Sequence, residues 1–182
     1  MIVAKDVKED VTADLQSFDG RSGCSLPSDL GEWFERKELV RLVLEAVEGV
    51  DWSLVDGQGA EGEMKKKFPL LVTLLTYCYA TGVYESRQIE FETKRDATLR
   101  YLCGNACPEW NTLRKFRRLH REAITKSLVN LFALAWKSRF GVEAKPQGTL
   151  WESCRLQAID FPAEAAERIE RAIRCDSMAL DE

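Results

Sequence analysis

The feature that most constrains the fold is a nearly uninterrupted apolar segment from Phe68 to Val83. This segment is 16 residues long, which is shorter than the roughly 20 residues that a helix needs to span a bilayer. Its apolar side chains would lie on nearly all sides of a helix, so the segment predicts a central helix that is buried in the fold. Pro69 suits the first turn of such a helix, and Gly82 suits a left-handed cap at its end.

Further helices are predicted on both sides of this segment, because apolar residues recur there at spacings of three and four. They cover Glu35–Val50, a stretch that begins at Ser86 as N-cap, a long stretch from Asn111 or Thr112 as N-cap to Trp136, and residues 162–175. No run alternates β-branched and polar residues in the way that a strand requires. The fold class is therefore predicted to be all-α, a compact multi-helix domain with no substantial sheet.

The composition along the chain predicts three parts. Residues 1–34 are polar, acidic and rich in turn residues, which is typical of an arm. Residues 35–140 carry the helical pattern of the main domain, and residues 141–182 are expected to form a linker and a C-terminal helix. The N-terminus carries no secretion signal, so we expect a cytoplasmic protein.

The charge is distributed unevenly along the chain, although the formal net charge is only −4. Residues 1–63 hold 6 Lys and Arg against 15 Asp and Glu, whereas residues 94–121 hold 8 against 2. Five cations fall between positions 114 and 121, and we call them the basic cluster: Arg114, Lys115, Arg117, Arg118 and Arg121. A solvated helix face would explain such a run, but like charges on adjacent turns repel each other and an anionic partner would relieve the repulsion. Phosphate is the most common such partner, so the cluster favours nucleic-acid binding.

Several blocks in a fixed order resemble a known family. Residues 36–52 form a helix that ends in an Asp-Trp pair, and residues 68–120 carry the blocks Phe68-Pro69-Leu70-Leu71, Arg100-Tyr101-Leu102-Cys103-Gly104 and Asn111-Thr112-Leu113-Arg114-Lys115-Phe116. In order and spacing these blocks resemble the N-terminal helical domain of DDE-type insertion-sequence transposases. The resemblance covers about 100 of the 182 residues. It implies a helix-turn-helix-like module that binds double-stranded DNA at the transposon ends and helps two subunits to form a homodimer.

The candidate DNA contacts follow from the pattern of cations around the long predicted helix. Arg114 and Arg118 lie four residues apart on one face and are the candidates for direct DNA contacts, with Lys115 and Arg121 as phosphate contacts beside them. If Asn111 or Thr112 caps the helix, the helix N-terminus can also meet a phosphate. The triplet Lys65, Lys66 and Lys67 lies in the preceding loop in this interpretation and would add backbone contacts.

Three further residues have either a DNA-binding or a structural interpretation. Arg117 and Arg100 are open to both, and for Arg117 the structural role would be an internal ion pair with Glu90 or Asp96. His120 would contact a phosphate or cap a buried carbonyl group. The aromatic residues Trp110, Phe116, Tyr101 and Trp136 fall at core spacing, so packing is favoured for them over stacking on bases.

No catalytic or metal site is predicted. The six cysteines and the single histidine do not form a tetrahedral set of zinc ligands, and we expect no cofactor or small-molecule substrate. The family's catalytic domain has an RNase-H-like fold with three metal-binding carboxylates, and Asp160 is the nearest imitation of its first aspartate. The tail acids Asp176, Asp181 and Glu182 are expected to be solvated. We therefore expect no catalysis from this chain alone, and no membrane partner.

One alternative function remains open at this point. The chain could be a stand-alone helical module for protein–protein interaction or regulation that derives from a transposase. The acidic N-terminal 63 residues favour this alternative, because they could fold over the basic helix and mask it.

Overall fold

The structure is a computed structural model that describes residues 25–52, 63–141 and 159–179. The described residues form seven α-helices and one short 3-10 helix and contain no strand, so the predicted all-α class is confirmed. The 3-10 helix spans Leu30–Glu32, and the α-helices are α1 (Arg36–Glu48), α2 (Glu63–Ala80), α3 (Ser86–Arg95), α4 (Ala97–Leu102), α5 (Trp110–Leu119), α6 (Arg121–Phe140) and α7 (Phe161–Met178). All of these elements belong to one compact unit. Within the described ranges, no helix is both long and apolar enough to cross a bilayer.

Helix α2 is the central buried helix that the apolar segment predicts. Its residues from Leu71 to Ala80 are all buried, and it packs against α1, α4, α6 and α7. The buried hydroxyl of Thr76 is hydrogen-bonded, since its Oγ1 donates to Ser127 Oγ of α6 at 2.9 Å. The predicted C-terminal cap is confirmed, because Gly82 has a φ of +77°.

The beginning of α2 differs from the prediction. The helix starts at Glu63, so Pro69 lies inside it instead of in its first turn. The residues before the proline are good helix formers, which allows the helix to extend upstream of it. Lys65, Lys66 and Lys67 therefore lie on the helix and not in a loop; of their side chains, only that of Lys67 is among those described, and it is exposed.

The long helix predicted from Asn111 or Thr112 to Trp136 is divided into α5 and α6. The break falls at His120, whose φ and ψ of −122° and 32° leave the helical region. Its ring packs edge-on against Phe68 at 4.3 Å between ring centroids and lies 4.7 Å from the ring of Phe116. These contacts hold the ring against α2. A single continuous helix would bury Leu119 with the other apolar residues of its stripe, but Leu119 is 66% exposed. Tertiary packing thus overrides the local periodicity here.

Helix α7 is bound to the rest of the unit by a buried arginine. The guanidinium of Arg168 donates to the carbonyl oxygens of Pro27, Ser28, Tyr79 and Ala80 at 2.5, 3.1, 2.9 and 3.2 Å. Two of these carbonyls lie at the C-terminus of α2, where helix carbonyls lack partners and a positive charge is favourable. At the start of α7, Asp160 accepts a hydrogen bond from the amide of Ala163 at 3.0 Å. Asp160, the residue that most resembles the family's first catalytic aspartate, is therefore the N-cap of α7.

Candidate nucleic-acid interface

The basic cluster lies at the end of α5 and the start of α6, and its five side chains have very different surroundings. Arg117 is buried, Arg114 is largely covered, and Lys115, Arg118 and Arg121 reach the solvent. The cluster is therefore not one uniform cationic surface.

Arg117 takes the structural role, but its partners are not those that the sequence suggested. Its guanidinium donates to the Tyr79 hydroxyl at 2.9 Å and to the carboxylate of Asp176. The suggested partners are engaged elsewhere, Glu90 with Lys94 and Asp96 with Arg36. Burial also raises the pKa of the Tyr79 hydroxyl well above its usual value, so this group remains a neutral partner of the guanidinium.

Asp176 is buried and accepts three hydrogen bonds, so the prediction that it is solvated is wrong. Its carboxylate accepts from the Ser86 amide at 2.8 Å, from the Ser86 hydroxyl at 2.7 Å, and from Arg117. Ser86, predicted to be an N-cap, is instead the first residue of α3, and Glu85 occupies the cap position. A signal for this burial was present in the sequence, because Asp176 continues the apolar stripe Ala165, Ile169 and Ala172 of α7. The other two tail acids, Asp181 and Glu182, lie outside the described residues.

Trp110, the first residue of α5, has two guanidinium groups close to its ring. The guanidinium of Arg114 lies 5.4 Å from its ring centroid, and that of Arg87 lies 5.1 Å from the same centroid. Both distances are within the range of cation–π interactions. Trp110 is only half-buried, unlike Phe116 and Trp136, which are in the core as predicted.

Tyr101 was also expected in the core but is 64% exposed, because it points away from the buried side of the short helix α4. Arg87 was not predicted as a site residue, since a lone arginine on α3 carries no signal in the sequence.

The solvent face of α5 carries Asn111, Lys115 and Arg118, with Thr112 beside them, and all four are exposed. Within the part of the chain that the structure describes, Lys115 and Arg118 form no ion pair. These two residues are therefore the cations of the cluster that are available to an external anion. Neither Asn111 nor Thr112 caps the helix; Glu109 occupies the cap position and its side chain makes no capping hydrogen bond.

The N-terminus of α5 is occupied by a carboxylate of the chain itself. Glu90 Oε2 accepts a hydrogen bond from the Trp110 amide at 2.8 Å, and its Oε1 binds Lys94 Nζ at 2.5 Å. The hydrogen bond from Lys94 and that from Trp110 together lower the pKa of Glu90, which keeps it ionised. The predicted phosphate position at this helix N-terminus is thus filled by Glu90.

The remaining predicted residues lie around this surface. Arg121 binds Glu170 of α7 at 2.5 Å, and both side chains are about half exposed. Arg100 donates to the carbonyl of Lys94 at 3.0 Å. His120 is half-buried between aromatic rings instead of capping a carbonyl, and burial lowers its pKa. Among the described residues, no three His, Cys, Asp or Glu side chains form a group that could hold a metal ion.

A comparison with protein families identifies the fold that carries this surface. The family described as Transposase domain (DUF772) matches residues 28–119, from the segment before the 3-10 helix to the end of α5. Searches of curated proteins and of solved structures gave no significant match. The matched range covers half of the chain and includes four of the five cations of the basic cluster. The chain therefore belongs to this family of transposase domains.

Proposed function

We propose that the chain is a DNA-binding domain of a transposase that recognises the transposon ends and pairs subunits. The observation that carries the proposal is the solvent face of α5, where Lys115 and Arg118 lie one turn apart with no carboxylate partner among the described residues. Membership of the transposase domain family supports the same function.

The surroundings of α5 suit a helix that enters the major groove. The buried ion pair between Arg117 and Asp176 fixes the inner side of the helix, so its outer side is presented as a rigid surface. Asn111 and Arg118 are residue types that read base edges, whereas Lys115 binds phosphates as a point charge. Arg87 and Arg114, held against Trp110, extend the cationic surface onto α3. In this proposal α4 and α5 form the helix-turn-helix-like unit, with α5 as the recognition helix.

The proposal assigns DNA binding, and not strand cleavage, to this helical domain. Asp160 serves as the N-cap of α7, since it accepts a hydrogen bond from the amide of Ala163. Two-metal phosphoryl transfer requires several convergent carboxylates. A relative that carries the DDE catalytic domain would supply them.

A binding titration of a labelled DNA duplex of about two helical turns tests the DNA-binding part. The double variant Lys115→Gln/Arg118→Gln should weaken binding at least tenfold, because it removes the base contact of Arg118 and the phosphate contact of Lys115. The loss of one phosphate contact should reduce the slope of log K against log salt by about 0.9. The matched control is Lys37→Gln/Arg41→Gln, which removes two exposed cations from α1 with the same change in net charge. Equal effects of the two double variants would contradict an α5 interface, because net charge alone would then explain binding.

Subunit pairing is supported by exposed apolar side chains beside the DNA-binding surface. Leu119 is 66% exposed at the end of α5, and Phe91 is 53% exposed on α3. Light scattering after size exclusion of the chain without DNA should give the mass of two chains. The mass of a single chain at every protein concentration would contradict this part of the proposal. The stand-alone interaction module remains the alternative, and a chain that dimerises but does not bind DNA would support it.

A further inference from the structure

Helix α7 brings carboxylates to three of the five cations of the basic cluster. Asp176 binds Arg117 and lies 3.7 Å from Arg114 Nε, while Glu170 binds Arg121 at 2.5 Å. The two acids differ in exposure. Asp176 is buried, whereas the side chains of Glu170 and Arg121 are 42% and 47% exposed.

We infer that Glu170 competes with a DNA phosphate for Arg121, so that α7 lowers the affinity of the domain for DNA. The inference rests on the proposed function, because it concerns the regulation of the same surface. Arg121 lies three residues after Arg118, at the first position of α6, and therefore borders the cations that face the solvent. A guanidinium binds carboxylate and phosphate in the same forked geometry, so one group can replace the other.

The other glutamates of α7 form their ion pairs within the helix, although Glu167 is as exposed as Glu170. Glu164 binds Arg168, and Glu167 binds Arg174, so both are engaged with arginines of their own helix. Among the described acids of α7, Glu170 is the exposed one that forms an ion pair with another helix.

The backbone that carries Glu170 is held in place, while the side chain of Arg121 is adjustable. Helix α7 is anchored on both sides of Glu170, by the buried Arg168 and by the buried Asp176. The Arg121 side chain is long and half exposed, so it can leave Glu170 without any change in the backbone. An exposed ion pair of this kind is weak and is screened by salt, which makes exchange for a phosphate easy.

The test compares two variants with the same change in net charge, Glu170→Gln and Glu167→Gln, in duplex titrations of the full chain. Glu170→Gln should tighten binding severalfold and make the salt slope steeper by about 0.9, because one more cation is free for a phosphate. Glu167→Gln should leave the slope unchanged. In the background of Arg121→Gln, adding Glu170→Gln should produce no gain in affinity. Thermal unfolding of each variant verifies that the fold is retained.

The outcomes separate this inference from the proposed function. If wild-type binding depends on Lys115 and Arg118 but the variants at Glu170 and Glu167 titrate alike, the proposed function stands and the competition by Glu170 is refuted. If Glu170→Gln binds a duplex that the wild-type chain does not bind, the competition is supported. If no variant binds any duplex, both the inference and the proposed function are refuted.

Discussion

Asp176 of α7 accepts a hydrogen bond from Arg117 of α5, which lies 59 residues earlier in the chain, and both side chains are almost completely buried. The pair connects a helix inside the matched transposase domain to a helix outside it. Two buried opposite charges satisfy each other, but either charge alone would be left without solvent or partner. The orientation of α5 is therefore coupled to the docking of α7.

Replacing Asp176 by Ala should be strongly destabilising. The change leaves the Arg117 guanidinium and the Ser86 amide without their carboxylate, which predicts a loss of about 3–5 kcal/mol in the free energy of unfolding. Urea denaturation followed by circular dichroism measures this loss. The double variant Arg117→Met/Asp176→Leu removes both charges and should recover part of the stability, while the Ser86 amide and hydroxyl stay without the carboxylate. A loss below about 1 kcal/mol for Asp176→Ala would mean that the pair is exposed in solution.

Replacing Arg168 by Met should also be strongly destabilising. The guanidinium satisfies four backbone carbonyls, two of them at the C-terminus of α2, and these groups would lose their donors in a buried site. We expect a loss of about 3–5 kcal/mol. Lys at this position should recover less than half of it, because a single ammonium cannot reach all four acceptors.

The control for Arg168 is Arg174→Met on the same helix. Arg174 forms an exposed ion pair with Glu167, so its replacement should cost less than about 0.5 kcal/mol. If the two variants unfold at the same urea concentration, the buried contacts of Arg168 contribute nothing, and the anchoring of α7 must depend on its apolar stripe.

The all-α class and the central position of α2 could be predicted from the sequence, because both depend on local patterns of apolar residues. The apolar segment is buried on all sides from Leu71 to Ala80, and Gly82 adopts the left-handed conformation that its position predicted. The break at His120 could not be predicted, since it depends on the ring of Phe68, which lies 52 positions earlier. Local spacing carries no information about such a contact.

The candidate site was predicted less well than the fold, because charge density along a sequence does not reveal which charges are paired. The sequence identified the basic cluster but not its partners. Asp176, Glu170 and Glu90 all come from other helices and determine which cations remain available. Only the position of Asp176 on an apolar stripe gave a local indication of its role.

The turn between α4 and α5 depends on a glycine at position 104. Gly104 has a φ of +60°, and a β carbon added there would lie 2.9 Å from Leu70 Cδ1. Gly104→Ala should therefore lower the free energy of unfolding by about 1–2 kcal/mol, from backbone strain together with displacement of the Leu70 side chain. The control is Gly141→Ala, where φ is +67° but an added β carbon meets no described atom within 4 Å. Urea denaturation should show the larger loss for position 104; a larger loss at position 141 would exclude the Leu70 contact as a cause.

Protonation of His120 should destabilise the fold at mildly acidic pH. Burial against the aromatic rings lowers the pKa of His120 below its unfolded value of about 6.5. Above pH 6.5 the ring is neutral in both states and pH has no effect. As the pH falls below 6.5, the unfolded chain binds a proton that the folded chain does not, so the free energy of unfolding decreases until the folded pKa is passed. The decrease should be under about 1 kcal/mol, because the ring is partly exposed and solvent screens its charge.

The chain offers a clean measurement of this effect, since His120 is its single histidine. Urea denaturation at a series of pH values between 8 and 5.5 should show a pH-dependent loss for the wild-type chain that is absent in His120→Gln. The variant loses the ring contacts with Phe68 and Phe116, which lowers its stability by the same amount at every pH. The protonation is therefore measured by how the difference in free energy of unfolding between the two proteins changes with pH. A difference that stays constant over this range would show that the ring titrates at the same pH in the folded and unfolded chains.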